Sequence, residues 1–295
     1  MNVREALREA IGRLTAAQLS SAPITAEVLL MHVLRRDRAF LHAHPEWEMI
    51  PDEERAYRQL LAQRAAGKPT QYLTGRQEFW GLSFRVEPGV FIPRPETEHV
   101  VEVALRIARE RLPRQDARIV DVGTGSGCIA LALASELPQA EIVATESSPQ
   151  ALTLARRNAD NLELAHRVQF VSSDLLAVFL SHHGAAGADF DTRAFDLVVS
   201  NPPYVAPEDS ARLPREVREH EPPAALYSDE AGLAFSRRLL SEARAALVSR
   251  GWLVMELGYG MEARVRALLG EAWTNLEVSN DLQGIPRVLA ARKAT

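Results

Sequence analysis

The sequence predicts an α/β protein, a doubly wound parallel sheet preceded by a helical bundle and joined to it by a β-hairpin. Three observations carry this reading. Strand and helix patterns alternate from Ala117 to Leu269. The first of these strands runs directly into a glycine turn, Gly123-Thr124-Gly125-Ser126-Gly127, and then an apolar helix start. Before them, roughly 70 residues place apolar side chains at helical spacing. Alternation of this kind selects a parallel sheet covered by helices.

In the first part, Ala6, Leu7, Ala10, Ile11 and Leu14 fall on one face of a helix over Val3 to Leu14. Val28, Leu29, Leu30, Val33 and Leu34 do so over Ala26 to Leu34. Pro51-Asp52-Glu53-Glu54 starts a third helix that runs through Tyr57, Leu60 and Leu61 to Ala66, where Gly67 ends it. Arg35-Arg36-Asp37-Arg38 reads as a solvated turn. Residues 1–75 thus form a helical bundle, either a docking surface for a partner or a cap on the larger domain.

From Glu78 the pattern becomes aromatic and alternating through Val86, then Glu87-Pro88-Gly89 precedes Val90-Phe91-Ile92. This predicts a β-hairpin within a 76–98 linker. Pro93-Arg94-Pro95-Glu96-Thr97-Glu98 stops the strand and opens a helix through Val100, Val101, Val103, Ala104 and Ile107.

Residues 99–295 hold the sheet. Ala117 to Val122 is its first strand. The turn that follows is not a dinucleotide fingerprint, because the third glycine comes one residue early, and no Lys-Ser/Thr pair makes it a phosphate loop. Asp121, just before it, suits a ligand with an ammonium group. Ala140 to Thr145 is the second strand and ends at Glu146, placed to accept from ribose hydroxyls. Ser148 and Pro149 start the next helix. Arg167 to Val171 is the third strand; Asp174 and Leu175 follow it, Asp174 either contacting an adenine amino group or standing as a surface acid. Ser181 to Arg193 reads as a flexible insertion whose His182-His183 pair lacks ligand spacing, so no metal is expected. Phe195 to Val199 is a buried fourth strand. Ala206 to Asp229 reads as a covering loop, Ala231 to Leu247 as a helix and Gly251 to Leu257 as a fifth strand. A helix from Met261 to Leu269 and strands at Leu276–Val278 and Arg287–Ala290 complete the chain.

The fourth strand ends in Asn201-Pro202-Pro203-Tyr204. Two prolines cannot extend a strand, so the chain turns there on a rigid backbone. A planar group with N–H donors fits such a turn: Asn201 and the Pro202 carbonyl accept its hydrogens and Tyr204 packs on its face. The amide of glutamine and the amino group of a nucleobase both qualify.

Composition narrows the partners. Of 295 residues, 46% are hydrophobic and 25% charged, with a net charge of −5, so bulk attraction to phosphate is not expected to drive binding. The single cysteine, Cys128, excludes internal disulfides and favours a reducing compartment. The first residues open an amphipathic pattern without a signal-peptide core, and no apolar run nears the roughly 18 residues of a membrane span.

Together these stretches resemble the class I S-adenosylmethionine methyltransferases, and more narrowly the protein-(glutamine-N5) methyltransferases of peptide-chain release factors. Gln71-Tyr72-x-x-Gly75 with Phe79-Trp80-Gly81, Phe91 through Glu98, Asp121 through Gly127, Asn201 through Tyr204, and Asp281-Leu282-x-Gly284-x-x-Arg287-Val288 carry the likeness. The Pro93-to-Thr97 stretch discriminates, because Asn-Pro-Pro-Tyr also occurs in adenine-N6 and guanine-N2 methyltransferases. The resemblance implies a Rossmann-like fold and methyl transfer from S-adenosylmethionine to the glutamine of the release-factor GGQ motif, which supports translation termination. It further implies a release-factor docking role for the bundle and a cytoplasmic monomer. Gly123, Thr124, Gly125, Ser126, Gly127, Asp121, Glu146, Asp174, Leu175, Phe91, Pro93, Thr97 and Asn201 are the cofactor-side residues it implies. Asn201, Pro202, Pro203 and Tyr204 hold the substrate, with Asn201, Pro202 and Tyr204 catalytic. Two positions depart from the family: Glu146 stands where Asp is usual, and Tyr227 to Gly232 where a glycine-rich run is usual. A nucleic-acid methyltransferase acting on an exocyclic base amine, and a binding module that transfers nothing, are the alternatives.

Overall fold

A computed structural model describes residues 1–19, 21–112, 116–180 and 194–295. The 181–193 insertion, with His182 and His183, lies outside the described residues. The chain divides into two compact units, Met1–Arg76 with Leu213–His220, and Gln77–Arg212 with Glu221–Thr295.

The first unit holds α1 (Val3–Ala16), α2 (Ala22–Leu34), α3 (Arg38–Ala43), α4 (Pro51–Ala65) and α5 (Thr70–Thr74). Asn2 and Glu5 form a reciprocal capping box that starts α1. Ala6, Ala10 and Leu14 are buried on its inner face, with Leu7 and Ile11 at the margin. Tyr57 is fully buried among them, and its hydroxyl donates to the Ala26 carbonyl at 2.9 Å, which satisfies the one polar atom it brings into the core. Arg35–Arg38 is more than the expected solvated turn. Arg35 caps α2 with φ 53°, and Asp37 accepts from Phe40 N at 2.8 Å to start α3, a helix too short to show a period.

The second unit runs β1 (Arg76–Phe79), β2 (Leu82–Arg85), α6 (Glu98–Glu110), β3 (Arg118–Val122), α7 (Cys128–Glu136), β4 (Glu141–Glu146), α8 (Pro149–Asn161), β5 (Val168–Ser172), α9 (Ala177–Leu180) and β6 (Phe195–Ser200). After β6 come α10 (Arg215–His220, which belongs to the first unit), α11 (Pro223–Leu226), α12 (Asp229–Gly232), α13 (Ala234–Ala246), β7 (Leu247–Glu256), α14 (Glu262–Leu269), β8 (Trp273–Asn280) and β9 (Pro286–Lys293). Among the described residues the large sheet has seven strands in the order β5-β4-β3-β6-β7-β9-β8. The first five are parallel, and β9 is antiparallel to β7 and β8. All six residues of β6 are buried, as a strand covered on both faces requires. One core lies between the sheet and α6 and α7 and includes Phe79, Phe84 and Trp252; the other lies under α13 and α14.

Strand order reverses at β3, so the crevice beyond the carboxyl ends of β3 and β6 is where an open α/β sheet binds its ligand. Ser200 closes that point by donating from Oγ to the Val122 carbonyl at 2.8 Å.

Two expectations are corrected. Ala206 to Asp229 is not a plain loop: it forms a 3-10 turn at Pro207–Arg212 and the short helices α10 and α11. The helix expected from Ala231 starts at Ala234, because Glu230, Ala231 and Gly232 all have left-handed torsions (φ 54°, 55° and 90°). No described helix is long and apolar enough to cross a membrane.

Candidate active site

The glycine turn is held from three sides. Gly123 N and Thr124 N both donate to the Thr145 carbonyl, at 2.9 and 3.0 Å. Asp121 Oδ2 accepts from Thr124 Oγ1 at 2.6 Å and from Ala130 N at 3.1 Å. Asn158, fully buried on α8, donates to the Ser126 carbonyl at 2.8 Å and exchanges two hydrogen bonds with the backbone of Arg85. Gly123 and Gly125 adopt φ 72° and 58°, and a Cβ at either would meet nothing within 4 Å. A side chain there would fill open space rather than protein, so the turn presents bare backbone to a ligand.

Asp121 is almost wholly buried, and its second oxygen, Oδ1, has no hydrogen-bond partner. Burial pushes its carboxyl up to about 7 against the hydrogen bonds from Thr124 and Ala130. Glu146 accepts from Gly125 N through Oε2 at 2.9 Å and from Ser148 N through Oε1 at 2.8 Å. Its longer side chain curls back to pin both loops.

The turn after β6 carries the second half of the site. Asn201 donates from Nδ2 to Thr97 Oγ1 at 2.9 Å. Thr97 donates to Glu256 Oε2 at 2.6 Å, and the Tyr204 hydroxyl lies 3.4 Å from Glu256 Oε1. Glu256, at the end of β7, is 3% exposed; burial raises its carboxyl to about 7, opposed by Thr97 and Arg287. Burial also raises the Tyr204 phenol, with the Glu256 charge adding to the effect. Pro202 is buried and Pro203 half-buried. Val205 pairs with Tyr227, so the strand-end turn and the covering segment are zipped together.

Phe91 lies under the Arg94 guanidinium at 5.0 Å, and Pro93 is buried. Arg94 pairs with the buried Glu221, which also accepts from Ile92 N at 3.3 Å. Arg94 therefore fixes the shape of its segment. Asp174 stands apart from this network: it is exposed and paired with Arg238 at 2.7 Å. Leu175 beside it is buried with φ 49°.

Comparison with known proteins gives the lineage. The PrmC N-terminal domain family matches residues 5–75, and the methyltransferase small domain family matches residues 81–216. The release factor glutamine methyltransferase of Koribacter versatilis (strain Ellin345) is 42% identical over 296 residues, covering 100% of both chains. That of Deinococcus radiodurans is 42% identical over 100% of this chain and 99% of its own. The chain belongs to the release factor glutamine methyltransferases.

The fold of this chain is shared more widely. The crystal structure of the hMettl16 catalytic domain with a MAT2A 3′UTR hairpin matches with a TM-score of 0.55 at 20% identity, over 79% of this chain and 81% of that one. At that identity the likeness is one of fold. Glu256, Glu221 and Asn158 hold these segments through hydrogen bonds that the motifs do not reveal. Glu256 reads in sequence as the last polar residue of an apolar strand, and only the β6–β7 register, Ser200 beside Met255, sets it next to Asn201.

Proposed function

We propose that this chain transfers a methyl group from S-adenosylmethionine to the side-chain N5 of the GGQ glutamine of peptide-chain release factors. The observation that carries the reading is the Asn201 carboxamide at the switch point. Its Nδ2 is committed to Thr97, which leaves Oδ1 as the atom that accepts.

The residues present fit the cofactor. Asp121 Oδ1 is a buried acceptor without a partner, and the glycine turn offers backbone with open space beside Gly123 and Gly125. Asp121, Gly123, Gly125 and Glu146 would hold it, with Phe91, Pro93 and Thr97 on the facing segment. When bound, S-adenosylmethionine supplies an electrophilic methyl on a sulfonium.

An amide nitrogen is a poor nucleophile, because its lone pair is delocalised into the carbonyl, and no side chain here is basic enough to take its proton outright. The chain must act by orientation and polarisation. Asn201 Oδ1 and the Pro202 carbonyl accept the two amide hydrogens, aim the nitrogen and stabilise positive charge as it develops. Tyr204 packs against the glutamine side chain, and the diproline backbone limits reorganisation. In this reading the 1–75 bundle docks the release factor, and the enzyme works as a cytoplasmic monomer without a nucleic-acid partner.

Incubation with labelled S-adenosylmethionine and, in turn, release factor, ribosomal RNA and DNA, followed by mass spectrometry, tests this. Label on the release-factor glutamine is expected; label on a base amine, or none at all, contradicts it.

A further inference from the structure

The hydrogen bonds behind Asn201 have a direction. A threonine hydroxyl has one proton to give, and Thr97 Oγ1 lies 2.6 Å from Glu256 Oε2 and 2.9 Å from Asn201 Nδ2. An ionised carboxylate only accepts. Thr97 therefore gives its proton to Glu256 and turns a lone pair to Asn201. Only the NH2 end of the carboxamide can meet that lone pair, so Oδ1 faces away from Thr97. If Glu256 carries a proton and gives it to Thr97, the polarity can reverse: Thr97 then has its own proton to donate onward, and Asn201 meets it by rotating to offer Oδ1. Its NH2 end then stands where an acceptor is required.

We propose that Glu256 is a positioning residue for methyl transfer, acting through Thr97 to set which end of the Asn201 carboxamide meets the acceptor amide. This rests on the reading that a glutamine amide is the acceptor. The same carboxylate lies within reach of the Tyr204 hydroxyl, so two residues of the site hang on one buried acid. Glu256 is 3% exposed and packed inside the unit, out of reach of a ligand.

The groups facing Glu256 come from several elements. Thr97 and Glu96 face it from the 3-10 turn before α6, Tyr204 from the turn after β6, Arg287 from β9 and Cys128 from the start of α7. Arg287 is itself held by Asp281 at 2.9 Å. Burial, with Glu96 adding to it, raises Glu256 to about 7, while Thr97, Arg287 and Tyr204 oppose the rise. Proton uptake by this acid thus falls in a range that kinetics can reach.

The test uses the purified full chain, S-adenosylmethionine and release factor, with kcat and KM measured from about pH 6 to about pH 9. Wild type is expected to lose kcat as pH falls through about 7. Glu256→Gln, which cannot titrate, is expected to lose that limb and give a kcat that is flat through about pH 7. Thr97→Val is expected to lower kcat by about tenfold or more, and Thr97→Ser, which keeps the hydroxyl, to restore it. S-adenosylmethionine affinity, measured by calorimetry, is expected to stay within about threefold of wild type in Glu256→Gln, whose side chain is buried behind Thr97. The proposal is overturned if Glu256→Gln keeps the wild-type pH profile, if Thr97→Val keeps wild-type kcat, or if the losses lie wholly in cofactor affinity. A wild-type enzyme that leaves release-factor glutamine unmodified would overturn the functional reading instead.

Discussion

The ring of Tyr204 rests on the α-carbon of Gly258: a Cβ at 258 would lie 2.7 Å from Tyr204 Cδ2 and 2.8 Å from Met261 Sδ. A glycine here is a requirement of space, not of torsion. Gly258→Ala must push the ring or the methionine aside. Because a shift of about 1 Å in a positioning group can cost about a hundredfold in rate, kcat is expected to fall by that order. Steady-state kinetics, with a melting curve to show that the fold survives, checks it.

Asp121 makes stability depend on pH. Its native value, about 7, lies above the ordinary 3.8, so between the two the native state keeps a proton that the unfolded chain has released. Stability from this group is present below about 4 and lost as pH rises through about 7. Asp121→Asn should flatten the fall in Tm between those limits. A residual slope is expected, since Glu256 is raised in the same direction. An unchanged Tm–pH curve would contradict the assignment.

Glu146 pins Gly125 and Ser148 at once. Glu146→Ala frees both loops and is expected to raise the S-adenosylmethionine dissociation constant about tenfold, or about 1.4 kcal/mol, while leaving the saturated rate nearly intact. Calorimetry on the variant decides this; unaltered affinity removes Glu146 from the site.

The covering segment stores strain. Ala231 sits at φ 55° between Glu230 and Gly232, also left-handed. An L-residue there costs about 1–2 kcal/mol, which glycine avoids. Ala231→Gly is expected to stabilise the protein by up to about 1 kcal/mol after its larger unfolded-state entropy is counted, measured by urea unfolding.

Much of the fold was legible because buried parallel strands are continuous apolar runs. Phe195 to Val199 shows as a strand, and the diproline after it can only be a turn. The glycine turn was equally plain. What stayed hidden depends on pairing between distant strands. Glu256 and Asn201 are 55 residues apart and are linked through Thr97 because β7 lies beside β6 with Ser200 opposite Met255. Glu221 likewise joins Arg94 and Ile92 across more than a hundred residues. The helices after Ala206 were missed because four- to six-residue helices show no period. Asp174, placed by its strand end, gives one oxygen to Arg238, a partner no local pattern announces.

The most direct test is methylation of intact release factor by Asn201→Ala, with S-adenosylmethionine binding measured on the same preparation. If Asn201 Oδ1 accepts the glutamine N–H as proposed, its loss is expected to cut kcat by about a thousandfold while cofactor affinity stays close to wild type. Turnover within about tenfold of wild type would mean that the carboxamide does not aim the acceptor nitrogen.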